Sequence, residues 1–354
     1  MRRRGHKRAL PVMFWELAGV PAVAVRRGPR VESVHQVAAC VADPNGEIVL
    51  RVGTVETPVF LRSSAKPFIA AASVAAGVLE AFGFGDRELA IMCASHNGEP
   101  EHVALVASML ERIGASVDDL RCGVHPPSYE PAAAALAASG EAPTPLHHNC
   151  SGKHTGILAL ARVLGAPLDG YLEPSHPAQQ KIIAFCERVG DDTFEGDKLA
   201  VDGCGIPVYA TTLHKAAVAF ARFATLERLA DDDARALARC GAAMTNEPWY
   251  VAGTGRFDTD LMRASAGRIV AKAGAEAVHC DALLDAGLGV ALKVVDGSRR
   301  ATAPAMLAVL DALRVLEPAA REELRPHARV MVKNYAGRTV GEVAALEGWL
   351  PEAS

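Results

Sequence analysis

Strand-like patterns occupy the two ends of this 354-residue chain, and helical patterns fill the interval between them. That order constrains the fold, because a half-buried terminal strand finds its partners most readily in strands from the other terminus. Runs at 34–43 and 47–52 flank Asp43-Pro44-Asn45-Gly46, a hairpin turn signal. A third run, 57–61, leads into Arg62-Ser63-Ser64-Ala65-Lys66-Pro67, and 67–79 is Ala-rich and helical. Proline is tolerated only in the first helical turn, so this helix is expected to begin close to Ser63. Helical patterns continue at 86–93, 100–113, 152–164, 176–189 and 214–229. Strand patterns return at 268–272, 276–280 and 288–295, followed by a turn at Asp296-Gly297-Ser298 and a helix over about 302–316. The expected fold is α/β (α+β), with one mixed sheet drawn from both chain ends and carrying a helical insertion.

Hydrophobic residues make up 50% and charged residues 22%, so a chain of this length has material for a large core without covalent staples. Aromatic residues are only 5%, which leaves Ala, Val and Leu to fill that core. Lys+Arg 37 against Asp+Glu 41 gives a net charge of −4. That balance offers no attraction to nucleic acid or to an anionic membrane. The longest stretch without a charged side chain is the 13 residues from Pro67 to Leu79, too short to span a bilayer. Eight cysteines dispersed over a long chain read as reduced thiols, which points to a cytoplasmic protein. Residues 1–16 open with a basic cluster, and Glu16 cuts short the apolar run that follows. They are expected to be a disordered tail and not a signal peptide, leaving 17–354 as one domain.

Three short motifs carry the chemistry. Ser63-x-x-Lys66 stands at the start of a helix, where residues three apart share a face. A buried, neutral lysine there can take the serine proton. Ser95-His96-Asn97 is an S-x-N triplet after a helix, and Lys272-Ala273-Gly274 closes a strand. Serine β-lactamases and penicillin-binding proteins use S-x-x-K, S-D-N and K-T-G in this chain order. Ala273 stands where their third motif carries threonine. Polar, Gly-containing runs at 93–102, 147–156 and 201–207 are costly to bury without partners and read as site loops. Cys150 and Cys204, within two of these runs, are soft donors suited to a metal, with His147, His148 and His154 as candidates for further positions. They also read as plain buried thiols.

Several segments together resemble the asparaginase II family, the Rhizobium etli-type (class 3) L-asparaginases. They are Arg62-Ser63-Ser64-Ala65-Lys66-Pro67, Ala94-Ser95-His96-Asn97-Gly98-Glu99, His148-Asn149-Cys150-Ser151-Gly152-Lys153-His154 and Asp202-Gly203-Cys204-Gly205-Ile206-Pro207. Gly253-Thr254-Gly255-Arg256 and the segment beginning at Lys272 also fit, and the resemblance spans roughly residues 17 to 345.

The resemblance implies a serine β-lactamase-like fold, a homodimer, and hydrolysis of L-asparagine to L-aspartate and ammonia. It implies two catalytic Ser-Lys pairs, Ser63 with Lys66 and Ser95 with Lys272. It also implies one zinc ion held by Cys150, Lys153 and Cys204. Asp202, Arg62 and Asn97 lie in the matching segments and are candidates for substrate binding; Asp202 suits an α-ammonium group but also reads as a turn cap. Two further functions fit the same motifs: a penicillin-recognising serine hydrolase, which would be exported, and an amino-acid-binding protein without catalysis.

Overall fold

A computed structural model describes residues 17–351. The tail expected at 1–16 lies outside the described residues. Eleven strands run in chain order as β1 (Val20–Arg27), β2 (Arg30–Ala42), β3 (Ile48–Val52), β4 (Pro58–Phe60), β5 (Leu199–Val201), β6 (Pro207–Thr212), β7 (Ile269–Ala273), β8 (Val278–Leu283), β9 (Leu288–Val294), β10 (Arg329–Lys333) and β11 (Thr339–Ala345). The main sheet has the order β10-β11-β1-β2-β9-β8-β7, with β3 also paired to β2. Strands from both chain ends therefore meet at β2 and β9, where Val37 pairs with Val294 and Cys40 with Ala291. This is the expected α/β arrangement, a sheet drawn from both chain ends with a helical insertion between them. One detail differs. The sheet was expected to be mixed, and every ladder described is antiparallel. Short links such as 274–277 and 284–287 can only turn a strand back on its neighbour, since a parallel pair needs a long crossover.

The hairpin at Asp43–Gly46 forms as its residues dictate. Asp43 Oδ1 accepts the N–H groups of Asn45 (2.9 Å) and Glu47 (2.7 Å), and Gly46 takes φ +96°. Residues 37–42 of β2 are fully buried because the helix Leu213–Thr225 packs across the sheet behind them. The contact is closest at Gly289 of β9, where a Cβ would lie 2.0 Å from Ala217 O. Only glycine lets the helix backbone come so near. The same helix turns Phe220 and Phe223 onto Phe68, supplying much of the scarce aromatic packing. Helices Asp86–Met92, Pro100–Arg112, Ser151–Val163 and Pro177–Gly190 form the insertion, close to the expected spans.

The expected helix at 67–79 is interrupted. It runs Lys66–Ala75, and a second helix, Val78–Phe82, starts after Gly77 at φ +87°. The hairpin of β10 and β11 and the early strand β1 had no counterpart in the sequence reading. β10 is almost wholly exposed, so it lacks an alternating buried face to betray it. No described helix is long and apolar enough to cross a membrane.

Candidate active site

Ser63 lies on a 3-10 turn, Arg62–Ala65, directly after β4 and ahead of the helix Lys66–Ala75. Arg62 precedes it with φ +52°, a left-handed conformation that costs a residue with a Cβ about 1–2 kcal/mol. Asp202 compensates this strain by accepting from Arg62 Nε at 2.5 Å. Ser64, next in the turn, is fully buried and donates to Lys272 O at 3.1 Å, tying the turn to β7. Gly274 permits the approach: a Cβ there would sit 2.7 Å from Leu61 O and 2.9 Å from Ser64 Oγ.

The two lysines converge on one hydroxyl. Lys66 Nζ donates to Ser95 Oγ at 3.0 Å and also to Ala94 O. Lys272 Nζ donates to the same Ser95 Oγ at 3.0 Å and to Ala273 O at 2.7 Å. The expected Ser95–Lys272 contact is thus formed. The expected contact between Ser63 and Lys66 is replaced by one between Lys66 and Ser95, and among the described hydrogen bonds Ser63 Oγ has no partner. Ser63 and Ser95 line one cavity of about 370 Å³, together with Asn97, Ser128, Asn149, Arg256, Asp258, Gly274, His279 and Arg299.

Both amines are almost completely buried. Burial therefore lowers the pKa of Lys66, with Lys153 pushing the same way. Burial lowers Lys272 to about 7, helped by Lys66 and Arg256 and opposed by the Asp258 carboxylate. An uncharged amine is accordingly accessible here near neutral pH, which an exposed lysine does not offer. His96, the middle residue of the second motif, is spent elsewhere. Its Nδ1 accepts Gly98 N–H, its Nε2 meets Ser151 Oγ at 2.9 Å, and burial followed by His102 and Lys66 holds it neutral.

Asn97 borders the cavity, but its amide is already occupied. Its Nδ2 donates to Glu99 Oε1 and Thr254 O, and its Oδ1 accepts Arg256 Nη1 at 2.9 Å. Arg62 and Asp202 border a much smaller adjoining void of about 10 Å³, which shares Ser63 with the main cavity and also touches Lys66 and Lys153. Arg256, Asp258 and His279 were not singled out from the sequence as site residues. Arg256 falls in one of the matching segments, whereas a lone Asp in a helix and a lone His in a strand offer no local signal.

The three residues expected to hold zinc come together, all buried. Lys153 Nζ lies 2.8 Å from Cys204 Sγ, and the Cys204 thiol in turn faces Asp202 Oδ2 at 3.6 Å. A hydrogen bond from Cys204 lowers the pKa of Cys150 well below the usual thiol range, with Lys153, Lys66 and His148 overcoming the cost of burial. The two thiols, one readily ionised, are donors of the kind zinc takes, whereas, despite burial, Cys150 and Cys204 raise the pKa of Lys153 above its ordinary value, so that amine must give up a proton before it can act as a third ligand. No group of three or more His, Cys, Asp or Glu side chains converges on a metal position among the described residues. The candidate histidines are engaged otherwise: His147 with Thr144, His148 with Cys150 N–H and His154 with Tyr171 OH.

No curated protein matches the chain significantly. Among solved structures, Mglu in its native form in the presence of 4.3 M NaCl is 18% identical, over 84% of this chain and 64% of that chain, with a TM-score of 0.35. Mglu in its tris and glutamate form is 17% identical over the same shares, with a TM-score of 0.36. The chain thus spans under two thirds of the length of these structures. The sequence pattern of L-asparaginase II, by contrast, matches residues 23–345, nearly the whole chain, and the protein belongs to that family.

Proposed function

We propose that the protein hydrolyses L-asparagine to L-aspartate and ammonia through an acyl-enzyme on Ser63. The observation that carries this reading is Ser95 Oγ held at 3.0 Å by both Lys66 and Lys272, on the wall of a cavity that Ser63 also lines. Ser63 Oγ is unpartnered and half-buried, as a nucleophile should be, whereas Ser95 Oγ accepts from two amines and so keeps its own proton free to pass on.

In the first step Ser63 Oγ attacks the side-chain carboxamide carbon of asparagine. Its proton passes to neutral Lys66, through Ser95 in the geometry described. The backbone N–H of Ser63 meets the developing oxyanion. Ser95, recharged by Lys272, delivers the proton to the departing ammonia, which leaves a β-aspartyl ester on Ser63. Water then attacks the ester by the reverse proton path and frees aspartate. Asp202, fixed by Arg62 beside Ser63, is the acceptor for the substrate α-ammonium. Arg256 braces the Ser95 loop by donating to Ser95 O and to Asn97 Oδ1. Cys150, Lys153 and Cys204 would hold a zinc ion. When bound, it supplies a fixed positive charge that orients Asp202 and the loop carrying it.

The test is ammonia release by purified protein with asparagine, glutamine and short peptides as substrates. Release from asparagine is expected. Nitrocefin turnover without ammonia release would mark a penicillin-recognising hydrolase, and asparagine binding without turnover would mark a binding protein.

A further inference from the structure

Behind Lys272 stand three buried ionisable groups that the serine and lysine chemistry does not use. Asp258 comes from the helix Phe257–Ala264, and His279 and Asp281 come from β8; none is more than 2% exposed. Asp258 Oδ2 accepts the backbone N–H of Ala273 at 2.9 Å and lies 3.8 Å from Lys272 Nζ. Its other oxygen, Oδ1, faces His279 Nδ1 at 3.9 Å. His279 Nε2 bonds Asp281 Oδ1 at 2.9 Å, and Asp281 Oδ2 has no partner.

We propose that Asp258 is the positioning residue for Lys272: its carboxylate fixes Nζ against Ser95 Oγ, and His279 with Asp281 holds that carboxylate in place. The geometry makes the assignment specific. The Ala273 N–H anchors the carboxylate to the residue that follows Lys272, so the strand that carries the amine also carries its counter-charge. Charges facing the amine give the second reason. Lys272 meets Lys66 and Arg256 as cations, and only Asp258 and the more distant Cys150 thiol oppose them. Without Asp258, a wholly buried amine would face two cations and would be protonated only at much lower pH. Asp258 itself stays ionised: burial works against its charge, but Lys272, His279, Arg256 and the Ala273 N–H outweigh it. His279 is held towards its charged form, because Asp281 and Asp258 overcome both burial and the repulsion from Lys272.

Asp258→Asn keeps an acceptor for Ala273 N–H and removes the charge. The readout is NMR of protein labelled at lysine Cε, with the Lys272 signal identified by its loss in Lys272→Met. The titration midpoint of Lys272 is expected to fall by at least about one pH unit in Asp258→Asn. The basic limb of asparagine turnover, where Lys272 loses the proton it gives to Ser95, is expected to move the same way, a shift that loss of packing would not produce. An unmoved midpoint in folded Asp258→Asn protein overturns the proposal. If that variant does not fold, His279→Gln decides: the midpoint should rise as the carboxylate is left to Lys272 alone, and an unchanged midpoint overturns the proposal. The kinetic arm rests on the asparaginase reading and the NMR arm does not. Absence of ammonia release by the unmutated protein therefore overturns that reading and leaves this one to the NMR midpoint.

Discussion

At the scale of single residues, the site is governed by two buried amines that share one hydroxyl. Both cannot stay charged cheaply at 3.0 Å from the same oxygen, so one proton circulates between them. Ser63→Ala should reduce turnover by about three orders of magnitude or more with folding retained, read as steady-state ammonia release. Retained activity there, with an inactive Ser95→Ala, would move the nucleophile to Ser95. The pH dependence follows from Lys272, whose pKa of about 7 lies below its value of about 10.4 in an unfolded chain. Lys272 recharges Ser95 only while it carries its proton; it is protonated below pH 7 and neutral above it, so the rate should fall as pH rises through 7. A rate unchanged from pH 6 to pH 8.5 would exclude Lys272 as the proton donor. The linked effect on stability has a definite sign. Between pH 7 and about 10 the unfolded chain binds a proton that the folded chain does not, so stability rises with pH in that window. Denaturant melts of Lys272→Met should show a weaker rise than the unmutated protein. The ordinary lysine pKa, all that composition offers, places the basic limb well above neutrality; burial brings it down.

At the scale of elements, two glycines have tertiary reasons, Gly274 at the turn that carries Ser63 and Gly289 where a helix crosses the sheet. Gly274→Ala would wedge β7 away from Leu61 O and Ser64, and so separate Ser63 from Ser95. Activity is expected to fall by about tenfold or more while the melting temperature drops only modestly, because Gly274 borders the cavity and the strain can relax into it. Gly289→Ala would instead drive a methyl group into the backbone of helix Leu213–Thr225 in the core. A loss of about 1–3 kcal/mol is expected in a urea unfolding titration, with KM for asparagine unchanged in the protein that remains folded. The hairpin at Asp43–Gly46 was legible because its turn is set by local side-chain to backbone bonds. The insertion helices were legible because their apolar positions repeat. β1 and the β10–β11 hairpin were not, since their pairing depends on each other across more than 300 residues.

At the scale of the whole molecule, the zinc reading makes the insertion and a second, three-stranded sheet of order β4-β6-β5 answer to one another. Cys150 and Lys153 open one helix of the insertion, and Cys204 lies in the loop leading to β6. Metal analysis of freshly purified protein should find about one zinc per chain. Chelation should raise KM more than it lowers kcat, because the proposed ligand Cys204 faces Asp202, the proposed acceptor of the substrate α-ammonium. A protein purified without zinc that turns over asparagine at full rate would exclude a role for the metal.

The residue types and their chain order, Ser63 and Lys66, then Ser95, then Lys272, were determined by the sequence alone, since each sits in a short segment with its own turn or helix signal. So was the joining of the two chain ends in one sheet, because the strand patterns lie nowhere else in comparable number. Only the tertiary structure decided that Lys66 reaches Ser95 in place of Ser63, that Asn97 is used up by Arg256 and Glu99, and that Asp258 stands behind Lys272. Helical spacing limits which groups can share a face. It does not say where a long, flexible amine finds its acceptor once water is excluded. That choice is made by whichever carbonyl, hydroxyl or carboxylate the packing of distant segments brings within hydrogen-bond reach.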